Sequence, residues 1–113
     1  MNDEKYSVLG AGHGGKAMAA HLSLMGFTVN LWNRTFDHVD AINKRGGIEL
    51  ECNEDCARGF GKLNLVTSDI GEAIRDAEIL MVVVPSSAHA DIARLVARHL
   101  QNGQIIILHP GRT

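Results

Sequence analysis

Two spacings of apolar residues alternate along the chain. Short, dense apolar runs fall at 6–9 (YSVL), 27–32 (FTVNLW), 79–84 (ILMVVV) and 104–108 (QIIIL). Each has the length and the β-branched or aromatic content of a strand. The run at 79–84 is continuous rather than alternating and stops at Pro85, which predicts a central parallel strand covered on both faces. Between the runs the spacing becomes helical. Ala17, Ala20 and Leu24 fall at i, i+3 and i+7, and Met18, Leu22 and Met25 lie beside them. Val39 and Ile42 mark a shorter helix to about Arg45, Ile70, Ala73, Ile74 and Ala77 mark a third, and Ile92, Leu95, Val96 and Leu100 a fourth.

Local signals punctuate these segments. Gly26, Gly46-Gly47 and Asn102-Gly103 stand where helices would end, and Gly26 reads as a C′ residue. Asn33 or Thr35 can cap the second helix, and Ser86 or Ser87 the fourth. Asp69, with Glu72 three residues on, resembles a capping box, with Ser68 as the alternative cap. The alternation of Ile48-Glu49-Leu50-Glu51, a polar turn and residues 60–67 predict a hairpin or extended excursion leading into the third parallel strand. The order of elements specifies an α/β, doubly wound parallel sheet of Rossmann type, with strand order 3-2-1-4-5.

The first strand runs straight into GAGHGG. Gly10, Gly12 and Gly15 fill the fixed positions of G-x-G-x-x-G, with Ala11, His13 and Gly14 between them. Gly10 permits the tight turn, Gly12 admits a pyrophosphate close to the backbone, and Gly15 lets the helix lie against the strand. The helix N-terminus then offers unpaired N–H groups and a positive dipole end to the anion. This is a dinucleotide signature because strand and helix flank it. In the predicted topology the cofactor crevice lies where the strand order reverses. There the glycine loop, the tip of the second strand and Val84-Pro85-Ser86 converge.

That second tip reads Trp32-Asn33-Arg34-Thr35. An acidic residue there would bond the ribose 2′-OH and repel a 2′-phosphate. Asn33 stands in its place, and Arg34 can pair with a phosphate bidentately, so the sequence leans toward NADP. Asp37 and Asp40 keep NAD open, since one turn later they can still reach the ribose.

Composition narrows the partners. The chain has 113 residues, 45% hydrophobic content and a net charge of −2. It reads as one dinucleotide-binding domain over residues 1–113. Lys and Arg are scattered without a basic stripe, which argues against nucleic acid. No charged-then-apolar leader or membrane-length apolar run occurs, giving a cytoplasmic address by default. Cys52 and Cys56 in ECNEDC lack further ligands at metal spacing and read as a solvated turn.

Several segments together resemble the N-terminal domain of opine dehydrogenases, the octopine and nopaline type: GAGHGGKAMAAHL, LWNRT, VVVPSSAHADIA and the terminal ILHPGRT. The resemblance covers nearly the whole chain. It implies reductive condensation of an amino acid with an α-keto acid, NADH or NADPH being the hydride donor. It also implies that Pro85 and Ser86 border the nicotinamide, with a loop at Pro110-Gly111 beside them. In that family a second, mostly helical domain supplies the catalytic histidine, and this chain stops before it, so no catalytic residue is assigned. Of the histidines near the crevice, His13 and His89 have structural or phosphate-side explanations. His109, at the end of a strand, is a candidate substrate contact. Two other readings stand beside this one: a dinucleotide-binding or sensing module without turnover, and the cofactor domain of a glycerol-3-phosphate dehydrogenase or ketopantoate reductase-like enzyme. An uncovered strand at 104–108 would also offer unpaired backbone groups for self-association.

Overall fold

The computed structural model describes residues 4–50 and 59–111. Cys52 and Cys56 lie outside the described residues. Five parallel strands form the sheet: β1 (Lys5–Leu9), β2 (Thr28–Trp32), β5 (Leu65–Thr67), β6 (Ile79–Pro85) and β7 (Ile105–Gly111). Their spatial order is β5-β2-β1-β6-β7. Counted among the parallel strands alone, this is the expected 3-2-1-4-5. The expected hairpin is β3 (Gly47–Leu50) with β4 (Gly59–Lys62), antiparallel, with Ile48 opposite Gly61.

Side chains alternate across the sheet, so neighbouring residues of one strand enter different cores. Leu9, Trp32, Leu80 and Val82 pack on one face against Ile70 and Ile74 of α3 (Ile70–Ile74) and Ile92 and Val96 of α4 (His89–Ala97). Val8, Leu31 and Val83 pack on the other against Ala19, Met18 and Leu22 of α1 (His13–Leu24), with Ile42 of α2 (Asp40–Arg45) and Ile48 of the hairpin. Leu9, Leu31 and Leu80 are fully buried, each contributing about 1.5–3 kcal/mol. One buried polar side chain, Asn30, sits among them. Asn30 donates to the Ala73 carbonyl at 2.9 Å and accepts from Asn64 Nδ2 at 2.9 Å, tying β2 to α3 and to the turn before β5.

Several boundaries differ from the sequence reading. The buried face of α1 is carried by Gly15, Ala19 and Ala20, while Ala17 is exposed. Ala20, Met18 and Leu22 of the expected face do reach the core, joined by Gly15 and Ala19, which the spacing did not single out. The fourth helix is preceded by a 3₁₀ turn (Ser86–Ala88) and starts at His89, so its N-cap position falls on Ala88, beyond both serines. It ends at Ala97, which leaves Leu100 outside the core. Asp69 does cap α3, accepting from the Glu72 N–H at 3.2 Å. The Glu72 carboxylate does not close the box on Asp69. It accepts from the Thr67 hydroxyl at 2.9 Å, and that hydroxyl oxygen accepts from the Asp69 N–H at 3.0 Å. Pro110 and Gly111 form no loop but extend β7, paired with Val84 and Pro85. Among the described residues no helix is long and apolar enough to cross a membrane.

Candidate functional site

The crevice is built where β1 hands over to α1. Gly10 turns the chain at φ +121°, in a region that L side chains rarely adopt. A Cβ there would also lie 2.3 Å from the Val83 carbonyl oxygen of β6. At Gly15 a Cβ would lie 1.8 Å from the Gly10 carbonyl oxygen, so the first turn of α1 rests directly on the loop. Gly12 differs from both. Its φ of −74° and ψ of −172° suit any residue, and a Cβ would meet no described residue within 4 Å. The fold gives no reason for glycine at this position. Open space in front of the backbone, at the N-cap of a twelve-residue helix with no side-chain cap and no acidic residue in its first turn, suits a bound anion. The residues present therefore fit the pyrophosphate of a dinucleotide, with Gly12 leaving its backbone uncovered toward it.

The tip of β2 is bolted to this loop. The Gly10 N–H donates to the Trp32 carbonyl at 2.8 Å. The Ala11 N–H donates to Asn33 Oδ1 at 3.1 Å, and Asn33 Nδ2 donates to the Thr35 carbonyl at 3.0 Å. Asn33 thus holds glycine loop and β2 tip in one arrangement, a role its place in the sequence did not reveal. Arg34 and Thr35 are exposed just beyond it, and Arg34 makes no ion pair or hydrogen bond with another described residue. Asp40 is held in an ion pair with Lys44 at 3.2 Å, and Asp37 is exposed in the 3₁₀ turn Phe36–His38.

On the other side of the loop, Val84 and Pro85 end β6 half-buried, with Val83 Cγ1 3.3 Å from where a Gly14 Cβ would stand. The structure therefore brings together the three segments that the sequence brought to the crevice. His89 Nε2 lies 3.1 Å from the Val84 carbonyl oxygen, fastening the start of α4 to the end of β6. His109 pairs with Val83 through the backbone of β7. The side chains of His13, Ser86 and His109 lie outside what the structure describes.

Beside Arg34 lies a hollow of about 290 Å³, lined by Trp32, Ser68, Ile70 and Leu95 as well. Trp32 is almost completely buried, yet its indole Nε1 has no hydrogen-bond partner among the described residues. Nothing in the spacing of these residues foretells the hollow, because they come from three elements that only the sheet register brings together. Among the described residues no cluster of His, Cys, Asp or Glu is arranged to hold a metal ion.

Comparison with known proteins agrees with this geometry. Residues 5–110 match the family model described as the NAD-dependent glycerol-3-phosphate dehydrogenase N-terminus. The opine dehydrogenase of Arthrobacter sp. (strain 1C) is 41% identical over 113 residues, covering 100% of this chain and 31% of that protein. The glycerol-3-phosphate dehydrogenase [NAD(P)+] of Moorella thermoacetica is 34% identical over 104 residues, covering 92% of this chain and 30% of that protein. The chain thus spans about a third of the length of these curated relatives. In structure it is similar to octopine dehydrogenase solved with NADH and L-arginine, with a TM-score of 0.77 at 20% identity over 93% of this chain and 28% of that one. The resemblance to opine dehydrogenases read from the motifs holds along the whole chain. The chain belongs to the family of NAD-dependent glycerol-3-phosphate dehydrogenase N-terminal domains, as an NAD-binding Rossmann domain with an opine dehydrogenase among its relatives.

Proposed function

We propose that this chain is the cofactor-binding domain of an opine-type oxidoreductase that prefers NADPH and works in the cytoplasm. The observation that carries the cofactor role is Gly12, whose missing side chain serves a ligand rather than the fold. Gly10, Ala11, Gly12, His13, Gly14 and Gly15 form the pyrophosphate cradle. Asn33, Arg34 and Thr35 form the adenosine ribose side, and Val84, Pro85 and Ser86 the nicotinamide side. Ala11 contributes through position, since its N–H is engaged by Asn33. Arg34, exposed and unpaired among the described residues, supports the 2′-phosphate.

The reaction is a reductive condensation. An amino acid amine and an α-keto acid carbonyl would condense with loss of water, and a bound nicotinamide would supply the hydride that reduces the new C–N bond while a proton reaches the nitrogen. The 41% identity to an opine dehydrogenase over the whole chain favours this chemistry, and the octopine dehydrogenase complex with L-arginine supports an amino acid as one substrate. Substrate binding and proton transfer belong to a second domain, so this chain alone binds cofactor without turnover. A second reading, reduction of dihydroxyacetone phosphate, is favoured by the family model itself.

Two measurements test these statements. Titration with NADPH and NADH, on wild type and Arg34→Ala, is expected to show tighter NADPH binding that Arg34→Ala removes; equal or tighter NADH binding would overturn the NADP preference. For the reaction, the chain as part of its full polypeptide is expected to oxidise NADPH with amino acid plus keto acid. Turnover with dihydroxyacetone phosphate instead would establish the second reading. The domain also self-associates through β7 in this proposal, because Ile105, Ile106, Ile107 and Leu108 stay 42–56% exposed along a sheet edge.

A further inference from the structure

We infer that Ser68 is a specificity-determining residue of the adenosine end, its hydroxyl acting with Arg34 on the cofactor's 2′-phosphate. The inference rests on the NADP reading and adds a residue from a different strand to it. In the sheet register Trp32 is paired with Thr67, and the Asn33 N–H donates to the Thr67 carbonyl at 3.2 Å. The chain therefore leaves β2 and β5 side by side, Arg34 from one and Ser68 from the other, and both line the same hollow.

The hollow has the division of labour that an adenosine phosphate requires. Trp32, Ile70 and Leu95 give it an apolar lining for a flat base, and Arg34 and Ser68 supply the polar groups. Ser68 has no structural task that competes. Asp69 caps α3, and Thr67 holds the Glu72 carboxylate. Ser68 itself is exposed, with no side-chain hydrogen bond to another described residue. The acidic neighbour does not spoil the site, since Asp69 lines a separate hollow with Arg75 and His99. A hydroxyl beside a guanidinium gives a phosphate a neutral donor next to its cation, and a free 2′-OH gains much less from the pair.

The test compares adenosine 2′,5′-bisphosphate with adenosine 5′-monophosphate by calorimetry on wild type, Ser68→Ala, Ser68→Asp and Arg34→Ala. Ser68→Ala is expected to weaken the bisphosphate about tenfold, as for loss of one hydrogen bond to a charged group, and to leave the monophosphate unchanged. Ser68→Asp is expected to weaken the bisphosphate further by charge repulsion. Bisphosphate binding that is unchanged in both Ser68 variants but weakened in Arg34→Ala would overturn the role of Ser68 and leave the NADP reading standing. A wild type that binds the two nucleotides equally, or neither, would overturn both. Ser68 is exposed, so unchanged melting temperatures are expected to separate binding effects from unfolding.

Discussion

Among the three motif glycines only Gly12 would carry a Cβ clear of every described residue, and this separates stability from binding at single positions. Gly12→Ala is expected to melt within about 1 kcal/mol of wild type, the ordinary cost of a surface change, while dinucleotide binding falls at least about tenfold as a methyl group enters the pyrophosphate space. Gly15→Ala, which would drive a Cβ to 1.8 Å from the Gly10 carbonyl oxygen, is expected to lose the fold itself. Thermal melts followed by circular dichroism, run beside NADPH fluorescence titrations, distinguish the two. Asn33 offers a second test. An aspartate there keeps an acceptor for the Ala11 N–H but loses the donor to the Thr35 carbonyl, so Asn33→Asp is expected to shift preference from NADPH toward NADH, read from the ratio of dissociation constants. The close packing at Gly10 and Gly15 was legible because the motif's fixed spacing between a strand and a helix carries it. The two hydrogen bonds of Asn33 were not, because one of its partners, Ala11, lies 22 residues away in the glycine loop.

Helix starts and strand ends obey signals that compete. Three residues, Thr67, Asp69 and Glu72, share the start of α3, and only Asp69 bonds a helical N–H. Asp69→Ala is therefore expected to cost about 1 kcal/mol, visible as a lowered melting temperature with cofactor affinity retained. The start of α4 shows the opposite case. Serines in good sequence positions are taken up in a 3₁₀ turn, and His89 bonds Val84 instead, because the chain must first clear the end of β6. Periodicity likewise placed α1 correctly but turned its face by a fraction of a turn, since alanine and glycine carry too little apolar surface to fix a rotation by themselves. At β7 the apolar pattern gave the strand, and its pairing with β6 carried it on through Pro110. Proline is tolerated on an edge, where no partner strand needs its missing N–H. Ile106→Lys, at an exposed edge position, is expected to leave stability within about 0.5 kcal/mol and to reduce the proposed self-association, measured by sedimentation velocity across a concentration series. An unchanged monomer in wild type would sink that proposal.

The order of the parallel strands was legible because few topologies allow right-handed crossovers without crossing connections. What stayed hidden is how the hairpin lies on the molecule. A Cβ at Gly61 would stand 2.8 Å from Ala20 Cα, and one at Gly47 would stand 2.2 Å from the Gly61 carbonyl oxygen, so β4 and α1 meet backbone to backbone. Such contact leaves no side-chain pattern to read. Gly61→Ala is expected to destabilise the domain by about 1–3 kcal/mol, as overpacking does, in chemical denaturation. The sheet order has a further consequence, in time rather than space. β1 is the central strand, and its second partner is β6, so Tyr6 waits for Ile79 before its place is complete. Pairing across so much intervening chain has to overcome a large closure entropy before it gains contacts, which slows folding. During synthesis β1, α1 and β2 emerge first, and the core on the α3 and α4 side cannot close until β6 has followed them out. A strand made long after β1, β6, is therefore the one that commits the first strand to its place.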